Sequence, residues 1–497
     1  MKKHLAFVLC LSLTTVALSA PKTYTPSPGV KDAYQKAVRL RLGEARSAIE
    51  ALKKSEPDNL FPIFIANYVD FLTAFLSDAP SDYNRLSKGM SPRLSQLAKG
   101  DPRSPWHLYA QAEIRFQWAL LRGRFNNYMS SLSEIKQASA LLEENARRHP
   151  DFAPNKKSLA LIHALAGSTP EEYRWMLKAA GGLSGSVQQG MREMAELIAF
   201  AEQNEYLFED EARFLYAYMQ LYIDNKPDAA WSTLRKKSPN PATEPLAAYL
   251  TASMAMRIGK NDEAIALLSA LPQSPPYTPI PYRDFLLGQA KLARLDADAD
   301  KPLLRFVNRF KGETGVKEAY QKLAWHALIH NDRQGYHKYM SLVKTKGAQQ
   351  SDTDKQALRE AESGLTPDPD LLRARLLFDG GYYNKAFALL RDKSATYAAA
   401  DERFRLEYDY RMGRIAHKLE RFAEAEKHYK QTIRNGQKSP AHYACNAALQ
   451  LGEMYEQQQQ PALAREAYRQ CLSISPEDYA AALHARAKAG LARVGVK

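Results

Sequence analysis

His326 and His330 stand at i and i+4, with His337 close behind. Two imidazoles at that spacing share one helix face and can hold a metal, but a stable site needs three or four ligands in fixed geometry. The glutamate that follows the first histidine of a zinc-protease helix is replaced by Ala327, and no cysteine or carboxylate cluster accompanies the trio. The surrounding segment is also strongly basic and repels cations. These histidines therefore read as packing and surface residues, with no metal site. A Gly-x-Ser-x-Gly elbow is missing from the sequence. The glycines at 181, 182 and 185 are not preceded by a strand pattern or followed by Gly-Lys-Ser/Thr, so they form a turn and not a phosphate cradle. The expectation is a non-catalytic chain without a cofactor.

The first residues explain the cysteine count. Lys2, Lys3 and His4 form a basic n-region, residues 5–16 form an apolar h-region too short to span a bilayer, and Ala17, Ser19 and Ala20 supply small residues. This is a signal peptide over 1–19, cleaved after Ser19, so the chain is expected to be exported, most naturally to a periplasm. Cys10 lies inside the apolar run and not at the cleavage point, which argues against a lipid anchor. Cys445 and Cys471 remain, an even pair that an oxidising compartment invites to bond. No later stretch is apolar enough for a transmembrane segment.

The net charge is +14. Residues 301–350 hold ten Lys/Arg against three Asp/Glu. Basic surfaces attract polyanions. Outside the cytoplasm nucleic acid is excluded as a sensible partner, which leaves anionic glycan, lipid head groups or acidic protein surfaces. Lys311, Lys317, Lys322 and Lys338 are the candidate contacts, against the plainer reading of a solvated basic face.

The elements that would position these groups are all helical. Helix formers dominate and no stretch alternates like a sheet for long. A proline-rich flexible leader is expected over 20–30, then a helical-hairpin region over 31–237. Within it Phe61, Phe64, Tyr68, Phe71 and Phe75 place five rings on one helix face. Such a stripe is a packed seam or, less commonly, a groove for sugar or peptide. Pro239, Pro241 and Pro245 mark a linker or bend. A degenerate repeat region follows over 245–345, then a loose polar connection over 347–370 with a short helix at 355–362, and clear repeats with a capping helix over 371–497.

In residues 406–474 one pattern occurs twice. Gly413, Leu419, Ala425 and Tyr429 return as Gly452, Gln458, Ala464 and Tyr468. With Leu451, Tyr455, Cys471 and Pro476, these positions resemble the tetratricopeptide repeat (TPR) family. The family's tryptophan is absent, with Asp409 and Ala448 in its place. The resemblance implies an all-α, right-handed superhelix of antiparallel helix hairpins, a TPR-like α-solenoid whose N-terminal half is degenerate. It implies a binding scaffold for a protein or peptide partner at the cell envelope. The first helix of each hairpin would line a concave groove, presenting Arg375, Phe378, Tyr410, Arg414, His417, Glu453 and Glu456. This surface lacks the Lys/Asn clamp that related domains use, so binding of a C-terminal carboxylate is not expected. In the same register Cys445 opens the first helix of the last hairpin and Cys471 ends the second. The two thiols then either bond or serve as small packing residues.

Overall fold

A computed structural model describes residues 22–169, 174–179 and 182–495. The signal peptide and its cleavage point lie outside them, as do Gly181 and part of the stretch from 170 to 180. All named elements are helices, and the only β pairing among the described residues is two isolated bridges, Lys22 with Gly100 and Thr23 with Asn59. The chain is an all-α solenoid of antiparallel hairpins. No helix among the described residues is long and apolar enough to cross a membrane.

One turn is used throughout. Leu40, Asn126, Asn225, Gly259, Leu295, Asn331, Gly381, Glu420 and Gln459 all have left-handed backbone, and each lies just beyond the first helix of a hairpin. The next N–H closes back over that residue: Arg421 N–H to Ala416 C=O at 2.9 Å and Gln460 N–H to Tyr455 C=O at 2.8 Å, as do Asp332 to Ala327 and Tyr382 to Leu377. This satisfies carbonyls that the helix end would leave unpaired. The interval between turn residues is nearly even from 225 onward and widens only between 331 and 381. There the helix Asp352–Ser363 is inserted. That insertion corrects the expectation of a loose connection. Ala357 and Ala361 are buried in the core, and the Asp354 carboxylate accepts from the Gly315 N–H at 2.8 Å.

The repeat glycines act through close approach. A Cβ on Gly413 would meet the Tyr429 ring at 2.7 Å, and one on Gly452 the Tyr468 ring at 2.6 Å. Asp409, at the family's tryptophan position, is buried against His428 of the second helix, with Oδ1 and Nδ1 3.0 Å apart. Ala448, at the same position in the next hairpin, is fully buried.

The N-terminal hairpins curl into a closed turn with one core running from Tyr24 to Met219. The flexible leader is corrected here. Tyr24 is buried with its hydroxyl donating to the Leu97 carbonyl at 2.6 Å, and Ser27 caps the helix Pro28–Val38. The aromatic stripe is a packed seam. Phe61, Phe64 and Tyr68 are buried, and Phe208, from the connection preceding Glu209–Tyr222, sits among Tyr34, Phe64, Tyr68, Trp106, Tyr109 and Tyr206. Residues 238–245 form a bend and not a boundary between separate bodies. Leu40 and Leu76 share a core with Ala248, Ala252 and Leu287, and Asp78 is held by Arg124 at 2.5 Å and by the Tyr282 hydroxyl at 2.7 Å.

Candidate binding surface on the inner face of the C-terminal repeats

The first helices Val316–Ile329, Pro369–Asp379, Glu402–Lys418 and Tyr443–Gln457 form the inner layer. Cations lie on aromatic faces along it. The Arg375 guanidinium is 4.6 Å from the centre of the Trp325 ring, and the Lys322 ammonium is 3.8 Å from the same ring. Arg414 lies 4.2 Å over Phe378 and 5.7 Å from Tyr410. Cation–π contact of this kind holds a guanidinium in place while leaving its N–H edge open to a partner. Arg375 is 3.8 Å from Asp379. No carboxylate lies within 4 Å of Arg414 among the described residues.

The structure thus brings Arg375, Phe378 and Arg414 together, with His417 further along the same helix. The His417 imidazole is 3.3 Å from both the Tyr429 hydroxyl and the Gln457 side chain, and burial lowers its pKa. Three of the sequence-derived groove residues have other employment. Tyr410 is only 2 % exposed, with Asn446 donating to its hydroxyl at 2.8 Å. Glu453 pairs with Arg486 at 2.7 Å and Glu456 with Arg493 at 2.6 Å, both on the terminal helix Ala480–Val494. These glutamates fasten the cap.

Several residues that sequence reasoning passed over complete the surface. His442 packs among Tyr410, Tyr443 and Tyr479. Burial first, then Arg375 and Arg411, push its imidazole down to about 4. Arg411 is committed to Glu407. Trp325 donates to Glu360 at 2.7 Å, and Arg359 of the same inserted helix lies 3.4 Å from Asp478. Next to Asp478, Tyr479 has φ 65°, a left-handed conformation rare for an aromatic residue. Helical periodicity marks Trp325 and His442 only as interior. Their meeting with Arg375 depends on how successive hairpins stack.

The basic candidates separate. Lys311 and Lys338 are exposed. Lys317 is buried, its ammonium donating to the Val343 carbonyl at 2.7 Å, so it is not a surface contact. Lys322 belongs to the inner face. Burial lowers its pKa while Glu318, 3.6 Å away, pulls in the other direction. The His326 and His330 rings lie tilted at 35° to each other with centres 4.3 Å apart. His326 bonds the Ala297 carbonyl and His330 bonds the carbonyl of His326, while His337 is on the next helix.

Cys445 and Cys471 are both fully buried free thiols with sulfurs 3.6 Å apart. The hydrogen bond from Cys471 lowers Cys445 to about 7, and the same bond raises Cys471.

A model of the tetratricopeptide repeat family matches residues 404–477. These are the two hairpins whose glycines approach Tyr429 and Tyr468, and this segment is similar to tetratricopeptide repeats. No curated protein matches the chain. Among solved structures, the crystal structure of yeast Tom70 is similar, with 14% identity and a TM-score of 0.26 over 93% of this chain and 96% of that one.

Proposed function

We propose that this chain is an exported, non-catalytic scaffold whose inner C-terminal face holds an extended segment of a protein partner at the cell envelope. One observation carries the reading. Arg414 is fixed over Phe378, reaches the inner face, and has no carboxylate within 4 Å among the described residues. A guanidinium held this way is prepared to bond an acidic side chain or a backbone carbonyl of a bound segment. The repeat match at 404–477 supports a protein partner, and the basic and apolar pattern of residues 1–19 supports export. Retention of Glu453 and Glu456 by the cap makes the available face more cationic than the side-chain roster suggests.

Crosslinking and capture from envelope extracts test this, comparing the chain with Arg414→Glu. A partner retained by the native chain and lost by the variant is the expected result. Recovery of the same proteins by both, or of none, would remove the inner face from consideration.

A further inference from the structure

The outer layer of residues 300–346 carries a second surface, independent of the inner face. On the helix Asp300–Arg309, Pro302, Leu303 and Phe306 face the core, while Lys301, Arg305 and Arg309 repeat at i, i+4 and i+8 on the opposite side. On Arg333–Thr345, Tyr336, Met340 and Val343 are buried, and Arg333, His337, Lys338 and Lys344 face solvent. Both helices pack on Val316–Ile329, and Tyr339 of the second reaches the cluster that contains Leu303 and Phe306 of the first. Lys311 and Lys346 follow their two C-terminal ends. Those ends are tied together, because Gln350 bonds both Thr314 and Glu313, and a Cβ on Gly347 would meet Val316 at 2.7 Å.

Compensation is absent where it is common elsewhere on this chain. Arg305 pairs with Asp284 at 3.0 Å. Lys301, Arg309, Lys311, Arg333, Lys338, Lys344 and Lys346 are all exposed, and none has a carboxylate within 4 Å among the described residues. The nearby acids are engaged or terminal. Asp298 pairs with Lys291, Asp332 caps its own helix through the Gly335 N–H, Glu313 bonds Gln350, and Asp300 begins its helix. Seven like charges, five on the two outer helices and two just past their C-terminal ends, repel one another, and a surface of opposite charge removes that repulsion.

We propose that this outer face docks electrostatically on an anionic lipid bilayer surface. A soluble polyanionic chain is best held by a groove. Here the cations tip outward from the convex side of a solenoid, where a plane of head groups meets several at once. Such contacts act over about a Debye length and fall with salt.

The test uses residues 20–497, so that the apolar run at 5–16 cannot itself insert, with vesicles of phosphatidylglycerol and phosphatidylcholine or of phosphatidylcholine alone. Co-sedimentation with the anionic vesicles at low salt, lost at high salt and with neutral vesicles, is expected. Lys301→Glu, Arg309→Glu, Lys338→Glu and Lys344→Glu together should weaken it by at least about 100-fold, from roughly five-fold per juxtamembrane charge. The corresponding Gln set should weaken it less, and Arg414→Glu should leave it unchanged. Circular dichroism confirms that each variant is folded. Failure to bind anionic vesicles, equal binding by the four-fold variant, or binding to heparin without binding to vesicles would each overturn the proposal. None of these outcomes bears on the Arg414 capture experiment.

Discussion

Two inner faces of one solenoid have opposite fates. In the N-terminal turn the inside is filled by the chain itself. Phe208 occupies the centre of six aromatic rings, and the Lys157 ammonium sits 4.9 Å over it, between Glu113 at 2.8 Å and Glu211 at 3.1 Å. Lys157 is 1% exposed, and although burial opposes its charge, the two carboxylates raise its pKa. Burial raises Glu113 against the pull of Lys157. In the C-terminal repeats the inside is lined by cations resting on ring faces, and Arg414 has no carboxylate within 4 Å among the described residues. A charge that is buried must be paired internally, whereas one at an open face is free to pair with something else. The first arrangement closes a fold, and the second makes the fold useful.

The contrast breaks most visibly at Lys157. Lys157→Met leaves Glu113 and Glu211 without their cation, and should cost about 3–5 kcal/mol in urea denaturation. A loss under 1 kcal/mol would mean the N-terminal interior is more open than its packing shows.

Next in size is a pH effect in the other half. His442 titrates near 4 when folded and near its ordinary value when unfolded, so the native state holds it neutral. Its contribution is complete above pH ~6.5 and is lost as the pH falls toward 4, because only the unfolded chain gains the proton. Glu407 and Asp478 act against Arg375 and Arg411 on this imidazole, so the full effect is on the order of 3 kcal/mol at most. Melting curves of His442→Gln should fall less steeply than the native chain's between pH 6.5 and 4. Parallel curves would show that His442 is solvated.

Glu420→Gly probes the hairpin turns. Glu420 has φ 59° and is exposed. Relief of its left-handed backbone strain, reduced by glycine's greater freedom when unfolded, should raise stability by about 0.5–1 kcal/mol. The smallest stability effect belongs to Arg414→Ala, a loss of about 0.5 kcal/mol, since it forfeits the cation–π contact with Phe378 but no ion pair among the described residues. A partner captured by the native chain should still bind this variant at least about ten-fold more weakly, as the loss of a charge-assisted hydrogen bond implies.

The repeat at 406–474 was legible because its grammar rests on residue type. Only glycine permits the approach of the Tyr429 and Tyr468 rings, so Gly413 and Gly452 are written in the sequence. The hairpin turns were not legible. Four of the nine left-handed positions carry Leu, Glu or Gln, residues that a single sequence does not mark as turns. The repeat rhythm upstream of 371 was therefore faint although the backbone repeats it. The candidate surface was half visible. Arg375, Phe378 and Arg414 follow from register on the first helices, but the capture of Glu453 and Glu456 by Arg486 and Arg493 requires knowing that the terminal helix folds back over the last hairpin.

By itself the sequence determined helix type, the regular C-terminal hairpins, the closeness of Cys445 to Cys471, and a basic segment at 301–350. These depend on residue type and local period. The tertiary structure alone decided which charges are spent. It buried Lys317 under Val343, moved Lys322 to the inner face beside Trp325, sealed Lys157 between two carboxylates, and left Arg414 and seven outer cations without a carboxylate partner among the described residues. The availability of a charge is set by what the solenoid's curvature brings within a few ångströms of it, and that proximity joins residues far apart in the chain.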